Sequence, residues 1–122
     1  MAQHYFIITG TLYGMLSVIF GAFGAHALKK IISDSELLKS FETGVKYQMY
    51  HAIVLLALGL NNFNNSIIYW CFTIGILLFS FSIYGLVLSS AKGKKLKFLG
   101  PITPLGGLLL ILGWLFILLE TL

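Results

Sequence analysis

Tyr47, Gln48 and His51 form the clearest chemical grouping in this sequence, and His26 closes the apolar run that precedes them. Separations of three and four residues put Tyr47, Gln48 and His51 on one face of a helix. If the two apolar runs fold back on each other as a hairpin, His26 arrives at about the same depth. Two imidazoles, an amide and a phenol fit three kinds of chemistry: a hydrogen-bonded structural cluster, a site for a small ligand or a proton, or ligation of a metal or haem. The structural cluster is the leading expectation, because polar groups in apolar surroundings must find partners. A closed zinc site needs a third or fourth ligand. The nearby acids Asp34, Glu36 and Glu42 are accounted for by solvation and helix capping. No metal and no cofactor is therefore expected, and no catalytic residue is assigned.

Other reactive residue types read as bland. Cys71 is the sole cysteine, which excludes an intrachain disulfide, and it lies in an apolar run with no basic neighbour to stabilise a thiolate. Ser80, Ser82, Ser89 and Ser90 can bond back to helix carbonyls. His4 reads as an interfacial residue.

The elements that must position the polar group are membrane helices. Of the 122 residues, 58% are hydrophobic and 10% charged, and the mean hydropathy is +0.94. Several uncharged runs exceed the roughly 18 residues that mark a spanning helix. The chain reads as one all-α membrane domain over residues 1–122: four transmembrane helices in an antiparallel bundle, at about 5–28, 47–62, 67–90 and 104–120. An amphipathic surface helix at about 34–45 separates the first two spans, with Leu37, Leu38, Phe41 and Val45 on its apolar side. It can continue into the second span through a bend at Gly44. The first run is read as a retained helix rather than a cleaved leader.

Gly10, Gly14, Ser17, Gly21 and Gly24 recur every three or four positions along the first run. With Gly106 and Gly107 in the last, they are expected to let helices pack closely. Start signals are a capping box at Ser33 and Glu36, Ser66 as a cap after the asparagine turn, and Thr103 capping a helix that opens with Pro104.

All eight basic residues are lysines, gathered between Lys29 and Lys46 and between Lys92 and Lys97. Two clusters at helix ends match anionic lipid headgroups, so no nucleic-acid partner is expected. By the positive-inside rule both clusters are cytoplasmic, which leaves the N-terminus, the turn at Asn61–Asn65 and the C-terminus outside. No acid lies within the third or fourth span, which argues against a pump built on a buried carboxylate.

The blocks GAFGAHALKK, FETGVKYQMYHAIVLLALG and GPITPLGGLLLILGW, in that order, resemble the signature of the small multi-pass membrane proteins called domain of unknown function 423. Animal transmembrane protein 256 resembles the same group. The resemblance covers nearly the whole chain and points to Gly21, Ala22, Gly24, Ala25 and His26 in the first block. In the second it points to Phe41, Tyr47, Gln48 and His51, and in the third to Gly100, Pro101, Pro104, Gly106 and Gly107. It implies a four-span protein of the plasma (inner) membrane and no particular reaction. The expectation is a non-enzymatic helical bundle, oligomeric with copies of itself, whose cytoplasmic-side polar pocket at His26, Tyr47, Gln48 and His51 binds a lipid, a small molecule or a protein partner. The rivals are a small transport or permeation component and a membrane enzyme that uses His26 and His51 as acid and base.

Overall fold

The computed structural model describes residues 2–122, with side chains from His4 onward. Among the described residues every regular element is helical. α1 (Ala2–Ile19) passes through a wide π-helical turn at Phe20–Gly24 into α2 (Ala25–Ile31), so the three form one long rod. A short link leads to α3 (Ser35–Leu60). After the asparagine turn come α4 (Ser66–Ile76), a second π-helical turn at Leu77–Phe81, and α5 (Ser82–Ala91). The basic loop contains a 3-10 turn at Lys97–Leu99, and α6 (Ile102–Thr121) ends the chain. Among the described residues, three helical runs are long and apolar enough to cross a membrane: His4–Ile31, Ser66–Ala91 and Lys97–Thr121. α3 matches them in length but carries Glu36, Lys39, Glu42 and Lys46 towards its start.

The segment at 34–45 is therefore not a separate helix. Its residues are the first turns of α3, which continues unbroken through Gly44. Gly44 serves close packing: a Cβ there would stand 2.9 Å from Cε1 of Tyr84.

Helix starts fall within two residues of where the sequence signals them, but the capping groups differ. α3 is capped by Asp34, whose side chain accepts from the amide of Glu36, rather than by Ser33. α4 is capped by Asn65, which accepts from the amides of Ile67 and Ile68, so Ser66 is its first helical residue. Carboxylate and carboxamide oxygens reach these amides as well as a hydroxyl does. α6 begins at Ile102 with no side-chain cap, and the Thr103 hydroxyl instead lies 2.5 Å from that of Ser82. The turn after α3 is closed by Asn62 at φ 58°, a left-handed position that asparagine tolerates.

α3 lies antiparallel along the α1–α2 rod, and α6 packs on α4 and the second π-helical turn. Two apolar cores result. One gathers Phe6, Leu55, Ile68, Phe72, Ile76 and Leu110, and the other gathers Leu28, Ile32, Phe41, Ile83, Tyr84 and Val87. The hydrogen bond from Asn65 to Glu120 ties the start of α4 to the end of α6, so the asparagine turn and the C-terminus share one end of the bundle. Both lysine clusters occupy the other.

The six glycines expected to let helices pack closely divide into three kinds. A methyl group at Gly10 would meet the Leu56 amide nitrogen at 2.8 Å and the Ala52 carbonyl oxygen at 2.9 Å. At Gly106 it would run into the backbone of Leu78 and Phe79. Backbone cannot swing aside as a side chain can. Gly21 and Gly24 face only side-chain atoms, Val45 Cγ1 at 3.2 Å and Phe41 Cζ at 3.3 Å. Gly14 and Gly107 have ordinary room, with nearest atoms at 3.9 and 3.6 Å. Accordingly, Gly10→Ala and Gly106→Ala should each cost about 1–3 kcal/mol through overpacking, whereas Gly14→Ala and Gly107→Ala should stay within about 0.5 kcal/mol. Unfolding in detergent micelles measures this, and equal losses at all four positions would refute the distinction.

Candidate functional site

Gln48 is fully buried in the middle of α3. Its Nε2 donates to the backbone carbonyl of Tyr13 at 2.8 Å, and its Oε1 accepts from the Tyr84 hydroxyl at 2.6 Å. One amide thereby joins α1, α3 and α5. The Tyr13 carbonyl also accepts from Ser17 Oγ at 2.9 Å. The Tyr13 hydroxyl donates to the Thr73 carbonyl on α4 at 2.9 Å, while Ser80 in the second π-helical turn donates to the Gly44 carbonyl at 2.7 Å. Among the described residues, Thr73 Oγ1 is the buried side-chain oxygen without a partner.

His51, one turn further along α3, belongs to a different partnership. Trp114 Nε1 donates to His51 Nε2 at 3.0 Å, and His51 Nδ1 lies 2.7 Å from the Tyr47 carbonyl oxygen. An indole N–H can only donate and a carbonyl can only accept. The imidazole is therefore neutral, with its proton on Nδ1 and its acceptor nitrogen filled by Trp114. A proton added at Nε2 would confront the indole N–H and break that bond. The ring is packed between Phe72 and Trp114, with centroids 5.6 and 5.9 Å away.

The remaining two expected members stand apart. Tyr47 contributes its backbone carbonyl to His51, while its phenol side is exposed and packs on Phe79. His26 is exposed on α2 and makes no hydrogen bond to the group among the described residues. The reason is the unbroken α3. With no separate surface helix, Gly24 is matched with Phe41 and Gly14 with Ala52. His26 therefore lies beside the first turns of α3, about 18 Å along the axis from the level of His51 at 1.5 Å per residue.

Tyr13, Tyr84 and Trp114 are partners that the sequence did not single out, and Ser80, expected to bond back to its own helix, instead crosses to the Gly44 carbonyl of α3. Tyr84 carries a usable signal, since a phenol well inside an uncharged span, away from the interfacial belt, needs a buried acceptor. A backbone carbonyl acceptor such as that of Tyr13 has no sequence signal at all.

Two clefts flank these groups. One of about 570 Å³ opens beside His51 between Tyr50, Phe79 and Ile111 and is mostly apolar. Another of about 460 Å³ opens at the lysine-bearing end between α3, α5 and the start of α6, with Ser40, Ser90, Lys95 and Gly100 on its walls. Among the described residues no three of His, Cys, Asp and Glu converge as metal ligands would.

Residues 20–107 match the family described as protein of unknown function, DUF423. The chain is 43% identical over 120 residues to a UPF0382 membrane protein of Staphylococcus aureus, covering 95% of this chain and 93% of that relative. It is 41% identical over 120 residues to a UPF0382 membrane protein of Staphylococcus saprophyticus, covering 95% of each chain. A UPF0382 membrane protein of Schizosaccharomyces pombe is 40% identical over 106 residues, covering 84% of this chain and 89% of its own. No solved structure matches the chain.

The amide bridge is testable as a pair. Tyr84→Phe and Gln48→Met should each lose about 1 kcal/mol, the scale of an interhelical hydrogen bond in a membrane bundle, and the double variant should lose less than the sum. Strict additivity in a double-mutant cycle would show that the two side chains do not act together.

Proposed function

The chain belongs to the DUF423 family of UPF0382 membrane proteins, and on that premise we propose that it is a non-enzymatic, four-span bundle that binds rather than transforms its ligand. The observation that supports this most directly is the locking of His51. Both its nitrogens are engaged by protein groups, so the residue best placed for acid–base work is committed to holding α3 against α6. A catalytic pairing with His26 would have to bridge about 18 Å. Gln48 is committed in the same way to α1 and α5. Polar side chains in the middle of the bundle serve the fold, which leaves binding to the ends.

On this reading α3 is the fourth span, and its charged first turns emerge at the cytoplasmic surface as an amphipathic extension. Large exposed side chains such as Leu12, Val18, Ile111 and Leu118 then face lipid. The plasma membrane is the natural setting, with both lysine clusters inside and both termini outside by the positive-inside rule.

Two experiments test the proposal. In a Cys71→Ser background, Asn62→Cys should label with an impermeant thiol reagent in intact cells, and Lys94→Cys only after permeabilisation. If Asn62→Cys is also protected, α3 does not cross and the four-span reading fails. Separately, His51→Ala should lower stability by about 1–3 kcal/mol because it strands the Trp114 N–H, whereas exposed His26→Ala should stay within about 0.5 kcal/mol. Unchanged stability in His51→Ala would mean that the imidazole is held for chemistry rather than for the fold.

A further inference from the structure

The cleft at the lysine-bearing end has the polarity gradient of a lipid. α5 runs towards that end, so Ser90 lies near its mouth, while Leu86 and Ile83 line it one and two turns deeper. Lys95 overhangs the mouth from the basic loop, and Ser40 reaches it from α3. The hydroxyls deeper in the wall are already spent: Thr43 donates to the Lys39 carbonyl, and Thr103 pairs with Ser82. Ser40 and Ser90 have no hydrogen-bond partner among the described residues and remain free to donate.

A carboxylate separates this cleft from its neighbour. The lining includes one lysine and no acid. The cleft of about 400 Å³ between α2 and α3 has Lys29 and Lys46 on its walls but also Glu42, which pairs with Lys46 at 3.7 Å. No carboxylate competes with an anion for the lysine of the first cleft, whereas Glu42 does so in the second. A free inorganic anion would leave the apolar inner half to water, whereas an anionic amphiphile fills both halves.

We infer that this cleft binds the phosphate headgroup of an anionic phospholipid, with Lys95, Ser40 and Ser90 on the phosphate and the acyl chain descending along Leu86. The inference deepens the binding role proposed above and rests on it. Its test is done in micelles, where sidedness plays no part, so failure of the labelling experiment and failure here are distinguishable.

The full chain, purified in an uncharged detergent, is titrated with phosphatidylglycerol, phosphatidylcholine or inorganic phosphate, with the melting temperature and lipid retention in native mass spectrometry as readouts. Phosphatidylglycerol should raise the melting temperature and be retained, and phosphatidylcholine should do neither. Lys95→Gln should weaken retention about tenfold, the scale of one charge-assisted contact, with the lipid-free melting temperature unchanged. Ser90→Ala should weaken it less, and Lys92→Gln, in the same loop but outside the cleft, should leave it intact. Equal losses in Lys95→Gln and Lys92→Gln would reduce the effect to general attraction by the loop and overturn the site. Equal binding of phosphatidylcholine would remove headgroup recognition, and an equal shift with inorganic phosphate alone would replace the lipid by a free anion.

Discussion

In hydrocarbon, a side-chain amide can satisfy its hydrogen bonds only on other protein groups. Gln48 meets this constraint by taking a backbone carbonyl from α1 and a phenol from α5 at once. Neither bond survives a shift of one residue in either neighbour, so the amide fixes axial position where apolar packing alone would tolerate sliding. The nearby Ser80 bond to the Gly44 carbonyl repeats the device between the second π-helical turn and α3. Ser80 sits in a wide turn, and such turns recur where a helix must aim a side chain out of regular register.

Close approach follows from that register. Gly10 and Gly106 sit where two backbones nearly touch, and only the absence of a Cβ permits the contact. Gly44 lets the Tyr84 ring of α5 come close enough to α3 to reach Gln48, one turn further along that helix. The polar bridge and the glycine contacts are therefore one arrangement: the glycines set the spacing at which the hydrogen bonds form, and the hydrogen bonds hold the helices at that spacing.

Much of this was legible in the residues. Uncharged runs, asparagine and proline punctuation, and paired lysine clusters gave an all-α chain whose basic loops share one end. Gln48 and His51 were recognisable as polar residues needing partners. Their partners were not, because a carbonyl such as that of Tyr13 is present at every position and marks none. Depth was misjudged at His26 for a related reason. Charged residues between Ser35 and Lys46 argue for a helix lying on the surface, yet Phe41, Gly44 and Gln48 continue one buried stripe into His51 and Leu55, and this carries α3 straight into the bundle. Equal spacing also made all the stripe glycines look alike, since which of them meets backbone depends on a register that no single helix encodes.

Where hydrogen-bonding capacity has been consumed, little chemistry is left. At the asparagine end, Asn65 is taken by Glu120 and the α4 amides, and Tyr69 lies 2.5 Å from the Thr9 hydroxyl. In the middle, Gln48, His51 and Ser80 are committed to neighbouring helices. At the lysine end, the hydroxyls of Ser40 and Ser90 remain uncommitted to protein partners beside Lys95. The cleft there sets a positive charge above an apolar floor, which are the two features that the proposed lipid would use.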